Sequence, residues 1–241
     1  MRVAIVSDIH SNLSALSAVL DHAGSIDAIW CLGDIVGYGP QPNECIALLR
    51  EHTGWAVAGN HDLAACGHMG VEEFNDAAAA AARWTAGELS EESLAYLREL
   101  PPVVIEGDFT MVHGSLRWPE WEYLLSTEQA QAQFELQSTT YSLVGHSHKP
   151  FVDHEQPNVP PELVAAEAGA RADLTAQRLI INPGSVGQPR DSDPRAGYAL
   201  YDSTAQTVTH HRVEYDIAAT QQAMEAAKLP GWLIERLSYG R

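Results

Sequence analysis

Val3-Ala4-Ile5-Val6-Ser7-Asp8-Ile9-His10 is the stretch from which the rest of this 241-residue chain can be read. Four apolar residues in a row, three of them β-branched, describe a strand covered on both faces, and the run stops at Ser7-Asp8. Asn12 then reads as a helix N-cap. Leu13, Leu16, Val19 and Leu20 share one helical face, and Gly24 ends the helix. A second strand over 28–32 stops at Gly33-Asp34, and a helix carrying Cys45, Leu48 and Leu49 follows. A third strand over 55–58 runs into Gly59-Asn60-His61-Asp62. Three successive strands thus end in a small residue plus polar side chains. The β-α-β alternation implies a parallel sheet, and ligands collect beyond the carboxyl ends of such strands. Asp8, His10, Asp34, Asn60 and His61 would all meet at that edge.

Further along, 72–100 reads as two helices, the first built on Ala77 to Ala82, the second capped by Ser90 and closed by Pro101-Pro102. After the prolines the pattern changes to a hairpin over 103–113 with an Asp/Gly turn. A helix over 127–136 follows, then strands over 141–144, 151–154, 179–181, 197–201 and 207–213. The proline- and alanine-rich 155–177 reads as a surface excursion. The tail beyond Asp216 reads as one or two short amphipathic helices. With no internal repeat and no convincing linker, 1–241 is expected to be a single domain, with a helical insertion at about 72–100 and a helical tail at about 216–241.

Composition narrows the classes. Hydrophobic residues make up 45% and charged residues 19%, which suits a globular chain with a sizeable core. Against 14 Lys and Arg stand 32 Asp and Glu, a net charge of −18. Such a surface repels a phosphate backbone, which argues against a long nucleic acid as partner and against a nuclease. A small phosphate ester stays compatible, because bound metal ions reverse the local field. No run approaches the ~18 apolar residues of a membrane helix, and Asp8 comes too early for a signal-peptide core. Cys31, Cys45 and Cys66 form no C-x-x-C pair and read as packed, reduced thiols of a cytoplasmic protein.

Five short elements carry chemistry. Asp8-Ile9-His10 places a carboxylate and an imidazole two residues apart, on one face if the strand geometry persists. Gly33-Asp34 adds a carboxylate whose two oxygens could bridge two ions. Asn60-His61-Asp62 offers an amide oxygen, a titratable imidazole and an acid. His113-Gly114 follows a strand, and Gly145-His146-Ser147-His148 repeats the two-residue spacing with two imidazoles. Singly, each is ordinary turn chemistry. Their weight comes from occurring together, each at a strand end. These hard-to-borderline ligands suit manganese, iron, nickel or zinc and disfavour a copper(I) thiolate site. His22, His52, His68, His154, His210 and His211 have no comparable setting and read as helix-surface, loop or strand-face residues.

The same five elements, with the words 33–40 and 182–190 and His113-Gly114-Ser115, resemble the calcineurin-like metallophosphoesterase superfamily, in its small bacterial and archaeal phosphodiesterase branch. The resemblance covers residue 3 to about residue 202. It implies an α/β fold (α+β by some schemes) of four layers, α/β/β/α, with a central β-sandwich flanked by helices. It implies two divalent metal ions, manganese the first choice: Asp8, His10 and His148 on one, Asn60, His113 and His146 on the other, Asp34 bridging. A small phosphodiester or phosphomonoester would be hydrolysed by attack of a metal-bridging hydroxide. Unligated, His61 would protonate the leaving group, with Asp62 fixing its orientation. Arg117, Ser185 and Arg190 are candidate substrate contacts, a salt bridge or turn being the alternative for each. Competing readings are a protein phosphatase, a dinucleoside polyphosphate hydrolase, or a catalytically silent scaffold such as the retromer subunit of this superfamily. Loops over 64–75, 115–123 and 186–196 are expected to build the substrate wall. Homo-oligomerisation is left open.

Overall fold

A computed structural model describes residues 1–174 and 177–241. Strand β1 (Arg2–Val6) lies parallel to β2 (Ala28–Cys31), which lies parallel to β3 (Thr53–Ala56). Helix α1 (Leu13–Ala23) makes the first crossover, and Asn12 caps it by accepting the Ala15 N–H at 3.2 Å. Helix α2 (Pro42–Arg50) makes the second and starts on Pro42, whose missing N–H costs nothing there. The expected strand over 55–58 ends earlier, at Ala56. Asn60 and the two residues after it open a short helix, α3 (Asn60–Ala65), that the sequence reading took for a loop. Helices α4 (Asp76–Glu88) and α5 (Glu91–Glu99) follow, capped by the side chains of Asn75 and Ser90.

The second half supplies the other sheet. Strands β4 (Val103–Glu106) and β5 (Phe109–Val112) form the expected hairpin. Helix α6 (Thr127–Leu136) leads to β6 (Tyr141–Leu143) and β7 (Phe151–His154). Within 155–177 lie β8 (Val164–Ala165) and β9 (Arg171–Asp173), so the stretch is more than a surface excursion; its residues 175 and 176 are outside those described. Strand β8 edges one sheet and β9 the other, and Ala172 and Leu174 are buried in the core between the sheets. Strands β10 (Leu179–Asn182), β11 (Ala196–Asp202) and β12 (Thr207–Val213) complete the set. The strand orders are β3-β2-β1-β11-β12-β9 and β4-β5-β6-β10-β7-β8. Each sheet contains a parallel triple: β1, β2 and β3 at one edge of the first, and β5, β6 and β10 in the middle of the second.

The continuous apolar runs are explained by burial on both faces. Val3, Ile5, Trp30 and Leu32 point into the space between the sheets and meet Phe109, Met111, Leu143 and Ile181. Alternate residues Ala4, Val6, Ile29 and Cys31 point outward under α1, α2 and α5, against Leu16, Val19, Leu49 and Leu97. On the far side Val112, Val144 and Ile180 lie under Ala130 and Phe134 of α6. Each fully buried side chain of this size contributes about 1.5–3 kcal/mol. The layers are therefore helix, sheet, sheet, helix, as the resemblance implied. The tail forms α7 (Ile217–Ala226), α8 (Gly231–Glu235) and a 3₁₀ turn (Arg236–Tyr239). It packs Met224, Leu233, Ile234 and Leu237 on Ala78, Ala81 and Tyr38. Among the described residues no helix is long and apolar enough to cross a membrane.

Backbone bonds zip the strand ends together. Asp8 and His10 donate their N–H groups to the carbonyls of Gly33 and Asp34 at 3.0 Å each, and Gly187 donates to Asp8 O at 2.9 Å. At Gly187 the backbones approach so closely that a Cβ would sit 1.8 Å from Ile9 O. We therefore expect Gly187→Ala to push the 183–190 loop off the 8–10 loop and to destabilise the protein by about 1–3 kcal/mol, with the urea m-value unchanged. A midpoint equal to that of the wild type would show that these loops do not pack as described.

Candidate metal centre

Both parallel triples deliver their carboxyl ends to one edge, and the polar loops meet there. The meeting is made by left-handed turns, not by continued strand alternation. Asp8, His10, Asp34, His146 and His148 have φ of 54°, 49°, 53°, 60° and 58°. Such a conformation costs a non-glycine residue about 1–2 kcal/mol, and a concentration of it in one site points to function. The sequence expectation for His146-Ser147-His148, two imidazoles on one face, is corrected accordingly. His148 turns to Asp8 and His10, whereas His146 turns to His113.

Two groups result. Asp8 Oδ1 lies 3.2 Å from His148 Nε2 and 3.9 Å from His10 Nε2, and the two Nε2 atoms are 3.2 Å apart. In the second, His113 Nε2 lies 3.1 Å from His146 Nδ1 and 3.4 Å from Asp34 Oδ2. Asp34 Oδ2 is also 3.6 Å from His10 Nε2, so one oxygen faces both groups. Its other oxygen, Oδ1, accepts the His61 N–H at 2.8 Å. The expectation that the two carboxylate oxygens would serve one ion each is thus replaced by a division between inward and outward atoms.

Tautomers decide what these nitrogens offer. His10 Nδ1 contacts Val36 O at 3.1 Å, His148 Nδ1 contacts Gln188 O at 2.5 Å, His113 Nδ1 contacts Leu32 O at 2.7 Å, and His146 Nε2 contacts Trp121 O at 3.0 Å. A carbonyl can only accept, so each outer nitrogen carries the hydrogen and each inner nitrogen presents a lone pair in the neutral ring. The inner lone pairs of the neutral rings face one another, while His113 keeps a second proton beside Asp34 in the metal-free protein; cations would satisfy these inner atoms together. Asp8 Oδ1 and Asn60 Oδ1 are buried without a hydrogen-bond partner among the described residues. Carboxylate, amide oxygen and imidazole with anchored outer nitrogens is a donor set that fits divalent ions. The structure brings together all seven residues named from the sequence.

Electrostatics follow from burial. Burial alone would push the Asp8 and Asp34 carboxyls up. His148 and His113 beside Asp8, and His113 and His61 beside Asp34, outweigh it and hold both well below the usual carboxylate range. Burial pushes His10 well down and His146 down to about 3. His113 is the exception: burial opposes its protonation, but Asp34 prevails and raises it to about 9.

His61 and Asp62 depart from the expected partnership. Asp62 accepts the N–H groups of Gly59 and Val36, at 3.0 Å each, and so caps α3 and ties it to the 33–37 loop. Burial and the charge of Asp34 raise its carboxyl to about 7. His61 Nδ1 has no hydrogen-bond partner among the described residues; it abuts Gly37, φ +91°, where a Cβ would sit 2.5 Å away. The ring is held by packing instead, with Tyr38 and Phe74 at centroid distances of 4.3 and 4.9 Å. Burial lowers His61 to about 4, so it is neutral near pH 7, in contrast to the cation expected from the sequence. It also lies within 4.8 Å of the ligand atoms of His10 and Asp34, so distance by itself would admit it as a ligand.

Of the three substrate candidates, Arg190 lines the cavity over the centre, along with Asp34, Asn60, His61, His146 and His148. Arg117 is tied to Glu122 and half exposed, away from that cavity. Ser185 is fully buried: its hydroxyl donates to Asp8 O and accepts from Gln188 N, both at 2.9 Å, which braces the turn. Unforeseen were Tyr38, Glu73, Phe74, Trp121 and Tyr123, which complete the wall. Phe74, Trp121, Tyr123 and Arg190 fall in the three loops expected to build it, but no motif singles them out. Tyr123 stacks on His146 at 3.9 Å. The cavity is small, about 80 Å³. A hollow of about 1060 Å³ near Glu155 to Pro161 is far larger, yet its Arg178 is neutralised by Glu155 and among the described residues it gathers no ligand cluster.

Residues 1–206 match the description of the calcineurin-like phosphoesterase superfamily domain. A metallophosphoesterase from Sphaerobacter thermophilus superposes with a TM-score of 0.91 and 48% identity, over 100% of this chain and 99% of that one. An uncharacterised protein of Methanocaldococcus jannaschii is 40% identical over 99% of this chain and 98% of its own. A symmetrical bis(5'-nucleosyl)-tetraphosphatase of Aromatoleum aromaticum is 29% identical over 66% of this chain, which spans 58% of that protein.

A protonation test follows from His113. A metal ligand must be deprotonated, whereas near pH 7 the metal-free protein keeps a proton on a group raised to about 9. Binding of a divalent ion should release about one proton at pH 7, and affinity should rise with pH until about 9. Calorimetric titration with Mn²⁺ in Hepes and in Tris, whose ionisation heats differ, measures this. Identical heats in the two buffers would contradict it.

Proposed function

The chain belongs to the calcineurin-like phosphoesterase superfamily, and from that premise we propose that it is a dinuclear-metal hydrolase of small phosphodiesters, with phosphomonoesters second. The observation that carries this reading is the gathering of four buried imidazoles, their outer nitrogens fixed by carbonyls, around Asp8 and Asp34, with one oxygen of Asp34 facing both His10 and His113. Asp8, His10 and His148 would hold one ion, Asn60, His113 and His146 the other, and Asp34 both, manganese being the first choice. Two such ions, when bound, neutralise phosphate charge and acidify water toward pKa ~7. We read the chain as one cytoplasmic domain.

The chain's own residues do the rest. Arg190 offers a guanidinium fork that matches phosphate oxygens. Tyr38, Phe74, Trp121 and Tyr123 wall the cavity and exclude water. A volume of about 80 Å³ admits a phosphoryl group but no nucleoside, so both ester groups must extend through the mouth. His61, packed within reach of Asp34, is the group we assign to deliver a proton to the leaving oxygen. Because it is neutral at rest, it must take up that proton as the anionic substrate arrives. The tetraphosphatase relative favours a dinucleoside polyphosphate as a more specific substrate within the same reading.

Hydrolysis of bis-p-nitrophenyl phosphate with Mn²⁺, then with chelator, tests the proposal. We expect metal-dependent turnover that Asp34→Asn abolishes. His61→Ala should keep its bound metal and lose about 10²–10⁴ in rate. A folded, metal-loaded wild type inert on phosphate esters would instead support the silent-scaffold reading. Equal loss of metal and turnover in His61→Ala would make that residue a ligand.

A further inference from the structure

The cavity over the metal centre has a neighbour. A second hollow, of about 220 Å³, is lined by Met69, Gly70, Glu72, Glu73, Trp118 and Trp121. Glu73 and Trp121 belong to both walls, so the two spaces meet along these side chains. A file of rings leads from one to the other: His61 lies 4.9 Å from Phe74, and Phe74 lies 5.2 Å from Trp121, between ring centres. About 80 Å³ over the centre holds a phosphoryl group, and the adjoining hollow has room for the planar base of a nucleoside.

The loop that shapes this hollow also serves the centre. Trp121 O accepts the Nε2–H of His146 at 3.0 Å. Trp118 O accepts the N–H groups of Trp121 and Glu122, both at 3.2 Å, and Trp118 N donates to Ser115 Oγ at 3.1 Å. Ser115 Oγ in turn donates to Glu122 Oε2 at 2.5 Å, and Gly114 lies so close that a Cβ would sit 2.9 Å from Glu122 O. The Trp118 backbone is thus fixed, yet its indole is 54% exposed and meets no other aromatic ring among the described residues. An uncovered indole on a braced turn is a stacking surface whose ordering cost is already met by the fold. The remaining wall is acidic: Glu72 and Glu73 supply two carboxylates, and no cationic side chain lines the hollow. Such a wall repels a second phosphate and accepts hydrogen bonds from amino or hydroxyl groups.

We propose that this hollow is a nucleoside subsite. Trp118 stacks on the base of a substrate whose phosphate sits over the metal centre, and Glu72 and Glu73 accept hydrogen bonds from the nucleoside's amino or hydroxyl groups. The inference rests on the phosphoesterase reading and deepens it, since it makes one ester group of the substrate a nucleoside.

Calorimetric binding of adenosine 5'-monophosphate and of methyl phosphate to the Mn²⁺-loaded protein tests this, alongside turnover of bis-p-nitrophenyl phosphate. Both ligands carry one phosphate monoester, and only the first carries a nucleoside. The wild type should bind the nucleotide at least about tenfold more tightly. Trp118→Ala should weaken the nucleotide about tenfold, as expected for one lost stacked base, and leave methyl phosphate within about twofold. Trp118→Phe, which keeps a ring, should fall between, and thermal melting of the variants guards against misfolding. Glu72→Gln should weaken the nucleotide about threefold; tighter binding would mean that the carboxylate repels the ligand and would overturn the assignment. Equal affinity of the wild type for the two ligands, or equal changes or none in Trp118→Ala, with turnover intact, would overturn the subsite alone. A wild type inert on bis-p-nitrophenyl phosphate would overturn the phosphoesterase reading and the subsite with it.

Discussion

Asp8, His10, Asp34, Asn60, His61, Asp62, His113, His146 and His148 are each at most 4% exposed, and they sit together where the two sheets meet. Removing one charge from water costs several kcal/mol even after relaxation, so such a cluster persists only if almost every atom has a partner. The outward atoms are satisfied by main chain: carbonyls take the outer imidazole N–H groups, and amides take Asp62 and one oxygen of Asp34. The inward atoms face each other. This division between backbone outside and lone pairs inside is the condition that the remaining structure meets.

Meeting it explains features that look unrelated. The backbone groups must be held at fixed positions, so the loops are bonded to one another and not left to solvent. Left-handed turns at Asp8, His10, Asp34, His146 and His148 aim side chains that a strand would send elsewhere, at a cost offset by the packed sheets beneath. Close contacts at Gly37 and Gly187 leave no room for a Cβ. The same burial that orders the cluster separates its protonation states, leaving His113 charged beside Asp34 while His61 and His146 are neutral.

The surface obeys a different rule. With 32 acids to 14 bases, Arg50, Arg117, Arg171, Arg178, Arg195 and Arg212 are absorbed in ion pairs that solvent screens. Arg190, at the cavity over the centre, bonds the amide oxygen of Gln188 and has no ion pair among the described residues. Bound divalent ions would give the site a charge opposite to that of the bulk, so that a small anion could be captured by a protein that repels a long one.

Strand and helix identities were legible in the sequence because they depend on neighbours: the doubly buried runs of β1 and β2, the Asn12 cap, the Ser90 cap and the hairpin at Gly107-Asp108 are local chemistry. So was the cluster of carboxylate, amide and imidazole side chains, because all of them follow directly on strand ends that the sequence marks. Short α3 was missed, since its start at Asn60 looks like a turn until Asp62 reaches back to the Gly59 amide. Strands β8 and β9 were missed because two or three residues of edge strand carry no periodicity. Asp62, Arg117 and Ser185 have the right types for catalysis or substrate binding, yet tertiary contacts commit them to backbone amides, to Glu122 and to Asp8 O. By itself, then, the sequence determined the layers and which side chains gather. Only the tertiary structure decided which way each ring turns, which tautomer it holds and what walls the cavity, because those depend on contacts between residues far apart in the chain.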